Sequence, residues 1–256
     1  MSNSTPTVAD CDARAMGADE LRARWQAGET TYAAAVRLPG TWAAERFARA
    51  GLDVVYVDLQ HGFVGITDLP GIVQASASLT TILVRVIANE AAGIGKVLET
   101  GADGIIVPMV ETAEQAAMAV AACRFGPHGT RSLGDLRLSM LPGGITRPVI
   151  CLVMIETARA VGNLEAILAV DGVDGVFLGP GDLALSLGLD PATRPWPDEL
   201  AAALRYVATT TRSHRKAVMI TGPAEEMVAL GSNCVNLGGD SIFIERALVA
   251  ALAMRV

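Results

Sequence analysis

Eight times along the chain a short apolar run rich in Val and Ile gives way to a longer stretch with helical character. The runs are YAAAVRL from Tyr32, DVVYVDL from Asp53, TILVRV from Thr81, GIIVPMV from Gly104, VICLVMIE from Val149, GVFLGP from Gly175, KAVMIT from Lys216 and CVNLGG from Cys234. Near-continuous apolar runs mark strands covered on both faces, as in parallel sheets. Between them, TWAAERFARAG, NEAAGIGKVLETGA, TAEQAAMAVAAC and TARAVGNLEAILAV carry Ala, Leu and Glu, and several stop at Gly, as helix C-termini often do. Eight such alternations in 256 residues suit a closed α/β barrel, the (β/α)8 or TIM barrel, better than an open sheet.

Two stretches break the rhythm. Residues 124–148 are long and rich in Gly, Pro and Arg, and a second loop with a short helical turn begins at Gly181. Loops this long in a compact domain are usually functional. The first follows a helix, so part of it is expected to cross the bottom of the barrel. With no linker or low-complexity tract, residues 19–256 read as one barrel domain and residues 1–18 as a flexible polar lead-in.

Composition narrows the classes. Hydrophobic residues make up 51% and charged residues 18%, as in a globular chain, and the net charge of −7 argues against nucleic acid or an anionic membrane as partner. No run reaches the roughly 18 apolar residues of a membrane span, and the N-terminus lacks the pattern of a secretory signal. Cys11, Cys123, Cys151 and Cys234 form no C-x-x-C pair, which suits reduced structural thiols and a cytoplasmic setting.

In this fold catalytic groups sit at the C-terminal ends of strands. Strand two ends in Asp58-Leu59-Gln60-His61-Gly62, strand three carries Arg85, strand five ends in Glu156, and Gly179-Pro180-Gly181-Asp182 follows strand six. Glu156 and Asp182 on adjacent strand ends suit a hard cation whose shell is completed by water and substrate oxygens, and each equally suits the cap of the helix behind it. His61 suits an acid–base role with Asp58 orienting its ring, or a solvated loop position. Arg85 needs an anion, either substrate or a structural partner. The turn from Gly179 to Gly181 suits carboxylate binding by backbone N–H groups, or a purely steric need. His128 and His214 read as surface residues.

DLQHG, LVRV, GADGIIVPMVETAEQA, the run from Arg124 to Arg131, MIETARAVGNLEAI and VDGVFLGPGDLALSLG occur in that order. In this the chain resembles the HpcH/HpaI aldolases, metal-dependent pyruvate aldolases acting on 4-hydroxy-2-oxo acids, from about Leu21 onward. The resemblance implies a TIM barrel of the phosphoenolpyruvate/pyruvate type with Glu156 and Asp182 as metal ligands. It implies Arg85 at the pyruvate enolate, His61 with Asp58 in proton transfer, and Gly179, Pro180, Gly181 and Asp182 at the substrate carboxylate. It implies magnesium or manganese, with cobalt or zinc as substitutes, and a homo-oligomer, commonly a hexamer. Gln60, Met154, Glu99 and Ser132 depart from the best-known members, and the loop from Ser132 to Pro148 is shorter. Glu99 stands where a neighbouring subunit's Asp often reaches the site. These changes leave the pyruvate half intact and the aldehyde half open. A 3-hydroxyacyl-CoA lyase of the citrate lyase beta or malyl-CoA type is the alternative enzyme, and a catalytically weak ligand-binding barrel the alternative class.

Overall fold

A computed structural model describes residues 17–134 and 137–254. Eight parallel strands close into a barrel in chain order: β1 Thr31–Val36, β2 Val54–Asp58, β3 Thr81–Arg85, β4 Gly104–Val107, β5 Ile150–Ile155, β6 Gly175–Leu178, β7 Ala217–Thr221 and β8 Cys234–Gly239. Each of the eight apolar runs forms one strand, and β8 closes on β1 through Thr31↔Cys234 and Tyr32↔Val235. The helices are α1 Ala18–Ala27, α2 Trp42–Arg49, α3 Leu69–Ser76, α4 Ala91–Glu99, α5 Ala113–Cys123, α6 Ala158–Gly162, α7 Leu164–Leu168, α8 Pro180–Ser186, α9 Asp198–Ser213, α10 Ala224–Ala229 and α11 Asp240–Ala253. Among the described residues no helix is long and apolar enough to cross a membrane.

The strands sort their side chains by parity. On β5, Ile150, Leu152 and Met154 point into the barrel, while Cys151, Val153 and Ile155 pack outward against the helices. Ala33 and Ala35, Val54 and Tyr56, Leu83, Phe177 and Met219 fill the same interior, so the barrel is a packed core and not a pore. Tyr56 and Phe177 meet edge to face, with ring centroids 5.8 Å apart.

Helix α1 plugs the bottom of this interior. Its buried residues Ala18, Leu21 and Trp25 join the inner core, and the Trp25 indole N–H donates to Thr31 Oγ at 2.9 Å. The proposed lead-in therefore stops short of Ala18; its remainder, with Cys11, lies outside the described residues, apart from Gly17. The other three cysteines are free and buried.

The first irregular stretch does cross the bottom, between α5 and β5, with short 3-10 turns at Leu138–Met140 and Gly144–Thr146. Arg147 ties it down by donating to the Gly101 carbonyl at 2.7 Å and by pairing with Asp103. In the second, Gly181 lies inside the seven-residue α8, which follows β6 at once, and α9 starts at Asp198. That loop is therefore mostly helix at both ends.

Candidate active site at the strand ends

The inward parity of the strands continues past their ends. Residues 54, 56 and 58 of β2, 83 and 85 of β3, and 150, 152, 154 and then 156 after β5 fall on the same side as the inner core. Asp58, Arg85 and Glu156 therefore share the mouth of the barrel. Register brings the first two together, because Asp58 lies directly opposite Arg85 in the β2–β3 ladder.

Arg85 is buried and forks onto Asp58, Nε to Oδ1 at 2.9 Å and Nη2 to Oδ2 at 2.5 Å. Asp58 is fully buried and also accepts from Arg37 Nε at 3.1 Å and from the backbone N–H groups of Gln60 and His61 at 3.2 and 3.1 Å. Burial alone would raise the Asp58 pKa; Arg85, the His61 N–H and Arg37 outweigh it and hold the carboxyl below the ordinary aspartate value. The expectation that Asp58 orients the His61 imidazole is thus corrected: it holds the His61 backbone, and its oxygens are turned to two arginines. Asp58 is the structural anion that Arg85 requires, which leaves Arg85 Nη1 facing the Met154 sulfur at 3.9 Å. His61 itself is exposed at the mouth. Gly62 closes the turn: its N–H donates to the Asp58 carbonyl at 3.1 Å, and a Cβ there would run into that same carbonyl and into Arg37.

Glu156 is buried opposite this cluster. Its Oε1 accepts the Met109 N–H at 2.8 Å, delivered by a Met109 backbone at φ 55, a left-handed conformation unusual for a side chain of that size. Gly179 presses against the other oxygen: a Cβ at that position would stand 2.7 Å from Oε2, so no side chain fits there. Burial chiefly, and then the like charge of Asp182, push the Glu156 carboxyl above the usual glutamate value, against the opposing pull of the Met109 N–H and Arg85. Asp182 stands exposed in the first turn of α8.

Two carboxylates set against each other in this way suit a hard divalent cation. Among the described residues no group of three or more His, Cys, Asp and Glu side chains gathers to hold a metal. A cation bound here would take two carboxylates from the protein, a number that suits magnesium, and the rest of its shell from water and substrate. Helix capping does not account for either group: no side-chain cap from Asp182 joins α8, and Thr157 caps α6 by accepting from the Ala160 N–H at 3.1 Å.

Glu99 is not brought to this mouth. It ends α4, at the opposite end of the barrel, where it pairs with Lys96 at 3.3 Å. Sequence reasoning missed Arg37, Tyr56, Thr221 and Asn236. Arg37 follows β1 on the inward parity, and Asn236 bridges the Tyr56 and Thr221 hydroxyl groups at 3.2 and 2.8 Å. Arg37 carried the same signal as Arg85, a cation ending an apolar strand.

An arginine, a histidine and two carboxylates thus lie at the strand C-termini, where barrels of this kind carry their chemistry. The family model described as HpcH/HpaI aldolase/citrate lyase matches residues 12–246, and the chain belongs to that family. It is 34% identical over 245 residues to a hydroxypyruvate/pyruvate aldolase of Rhizorhabdus wittichii, covering 92% of this chain and 98% of that one. It is 35% identical over 251 residues to a pyruvate aldolase of Rhizobium etli, covering 93% and 97%. A crystal structure of an HpcH/HpaI aldolase/citrate lyase family protein from Burkholderia cenocepacia superposes with a TM-score of 0.83 at 28% identity, covering 91% and 97%. The protein is a carbon–carbon lyase of the aldolase kind.

Proposed function

We propose that this lyase is a divalent-metal-dependent aldolase that joins pyruvate, or a close relative such as hydroxypyruvate, to an aldehyde, and cleaves the resulting 4-hydroxy-2-oxo acid. The observation that carries the reading is the pairing of Glu156 with Asp182 across the mouth from a buried, pre-positioned Arg85. A divalent cation held by Glu156 and Asp182, magnesium or manganese with cobalt or zinc as substitutes, supplies Lewis-acid polarisation of the 2-oxo group.

The chain's own residues do the rest. Arg85, locked on Asp58 by two of its nitrogens, offers a fixed positive charge to the oxygen that becomes an enolate as the C3–C4 bond breaks. Its position is set before substrate arrives, so little reorganisation is needed during the reaction. His61 takes the proton of the 4-hydroxyl in cleavage and returns it in synthesis. The substrate carboxylate meets the start of α8, where Gly181 and Asp182 have first-turn N–H groups and Pro180 has none.

Pyruvate release from a panel of 4-hydroxy-2-oxo acids, followed through lactate dehydrogenase, tests the reading. Metal-dependent release that stops with chelator is expected. No release from any member of the panel contradicts it, and acyl-CoA cleavage by the same preparation points to the 3-hydroxyacyl-CoA lyases instead.

The assembly we propose is a homo-hexamer. Along α11, Ile244, Leu248 and Leu252 fall at four-residue spacing and are about half exposed, with Val249 and Met254 beside them, an apolar face that a second copy would cover. Sedimentation equilibrium reads this directly, and a monomer at micromolar concentration contradicts it.

A further inference from the structure

A cavity lies at the other end of the barrel from this site. It encloses about 1250 Å³ beneath the N-terminal ends of β5, β6 and β7, walled by the segment between α5 and β5 and by the residues leading into β6 and β7. Its lining is strongly cationic for a protein of net charge −7: Arg22, Arg124, Arg131, Arg147, Arg215 and Lys216 face two acids, Asp171 and Asp174. Part of that charge is spent within the protein. Arg22 pairs with Asp174 at 2.7 Å, Arg124 with Asp171 at 3.3 Å, and Arg147 with Asp103, while Lys216 donates to the Val173 carbonyl at 2.6 Å.

Arg131 is different. It is 8% exposed, lines the cavity, and has both Nε and Nη2 buried without a hydrogen-bond partner. The Phe125 ring lies 4.6 Å from its guanidinium carbon, which answers the flat face of the group and leaves its in-plane N–H bonds unmet. Glu99 is near enough to act on it electrostatically, but that carboxylate is bonded to Lys96. A buried guanidinium with open N–H groups is a costly arrangement unless an anion completes it. Arg215, exposed on the same wall at φ 58, has no carboxylate partner among the described residues.

We propose that this cavity is a second ligand site, separate from the aldolase site, that binds a small multiply charged oxyanion, phosphate or polycarboxylate, on Arg131. Guanidinium and oxyanion match in geometry, two parallel N–H groups meeting two oxygens, which an ammonium cannot offer. The surplus of cations around Arg131 favours a dianion or trianion over a monocarboxylate such as pyruvate. The site rests on residues at the strand N-termini and stands whether or not the catalytic reading does.

Calorimetric titration of the full-length protein, in chelator so that no metal-bound anion contributes, tests it with inorganic phosphate and citrate as probes. Saturable binding of at least one is expected, weakened about tenfold or more in Arg131→Gln and unchanged in Arg85→Gln at the opposite end. Phosphate alone points to phosphorylated ligands, and citrate alone to polycarboxylates. Should Arg131→Gln fail to fold, Arg215→Gln removes an exposed cation from the same wall and is expected to weaken binding several-fold. Absence of saturable binding by either probe overturns the proposal. So does undiminished binding in Arg131→Gln, or in Arg215→Gln where that variant stands in, and so does loss in Arg85→Gln, which would place the anion at the barrel mouth.

Discussion

Glu156→Gln is expected to abolish pyruvate release while leaving the barrel folded. The amide oxygen still accepts the Met109 N–H, the side chain keeps its size under Gly179, and only the charge facing Asp182 is lost. On the proposed function the cation would lose one of its two carboxylates, and with it a contribution of several kcal/mol to the transition state, about 10³-fold or more in rate. The same variant carries a pH signature in metal-free protein. Burial first, and Asp182 after it, raise the folded pKa of Glu156, so the folded chain holds that proton more tightly than the unfolded one. Stability of the wild type therefore rises as pH falls from neutral through that raised pKa, and the Gln variant lacks the rise. Urea midpoints in chelator at pH 7 and pH 5 compare the two. Full activity in Glu156→Gln would remove this residue from the mechanism.

Asp58→Asn carries the larger cost to the fold. It leaves Arg85 buried without its anion and deprives Arg37 of its partner. Breaking one side of a buried ion pair costs about 3–5 kcal/mol, which in a chain of this size lowers Tm by about 10 °C. Turnover falls as well, because the turn bearing His61 hangs on Asp58 Oδ1 and the Arg85 fork loses its anchor. The pH dependence has the opposite sign to that of Glu156. Despite burial, the Asp58 pKa is held below its unfolded value by Arg85, the His61 N–H and Arg37. Its stabilisation is complete above the unfolded value of 3.8 and is lost as pH falls through the lower folded pKa. Wild type should lose stability steeply in acid, and Asp58→Asn should show a flatter acid limb from a lower start. Equal stability of the two at pH 7 would mean that the pair contributes nothing net.

The barrel was legible because strands covered on both faces must be apolar almost throughout, and each of the eight runs became a strand. Helix α1 was not read as such because half of ADELRARWQA is polar or charged; only Ala18, Leu21 and Trp25 are buried, a sparse stripe at helical spacing that becomes decisive once it plugs a barrel. The segment TARAVGNLEAILAV breaks into α6 and α7 at Asn163, whose φ of −101 interrupts the helix after Gly162.

At the site, position at the end of an apolar run singled out Asp58, Arg85 and Glu156, and the inward parity of their strands places them at the mouth. Partnership was not legible. Whether Asp58 serves His61 or Arg85 depends on the register between β2 and β3, which sets residue 58 beside residue 85 and is written in no local pattern. Arg37 was overlooked although it follows the same parity rule. The cationic cavity was out of reach for a similar reason: its arginines come from α1, the segment between α5 and β5, and the α9–β7 turn, and only the closed barrel assembles them.

The central claim is that this mouth enolises pyruvate with the help of a divalent cation, and it can be tested without knowing the aldehyde. Pyruvate is incubated with the protein in heavy water and its methyl signal followed by proton NMR. The account predicts that the signal fades through exchange when magnesium or manganese is present, persists in chelator, and persists in Glu156→Gln and Arg85→Gln. A methyl signal that survives with wild-type protein, saturating pyruvate and every divalent cation tried would contradict it, as would exchange that proceeds equally well without metal.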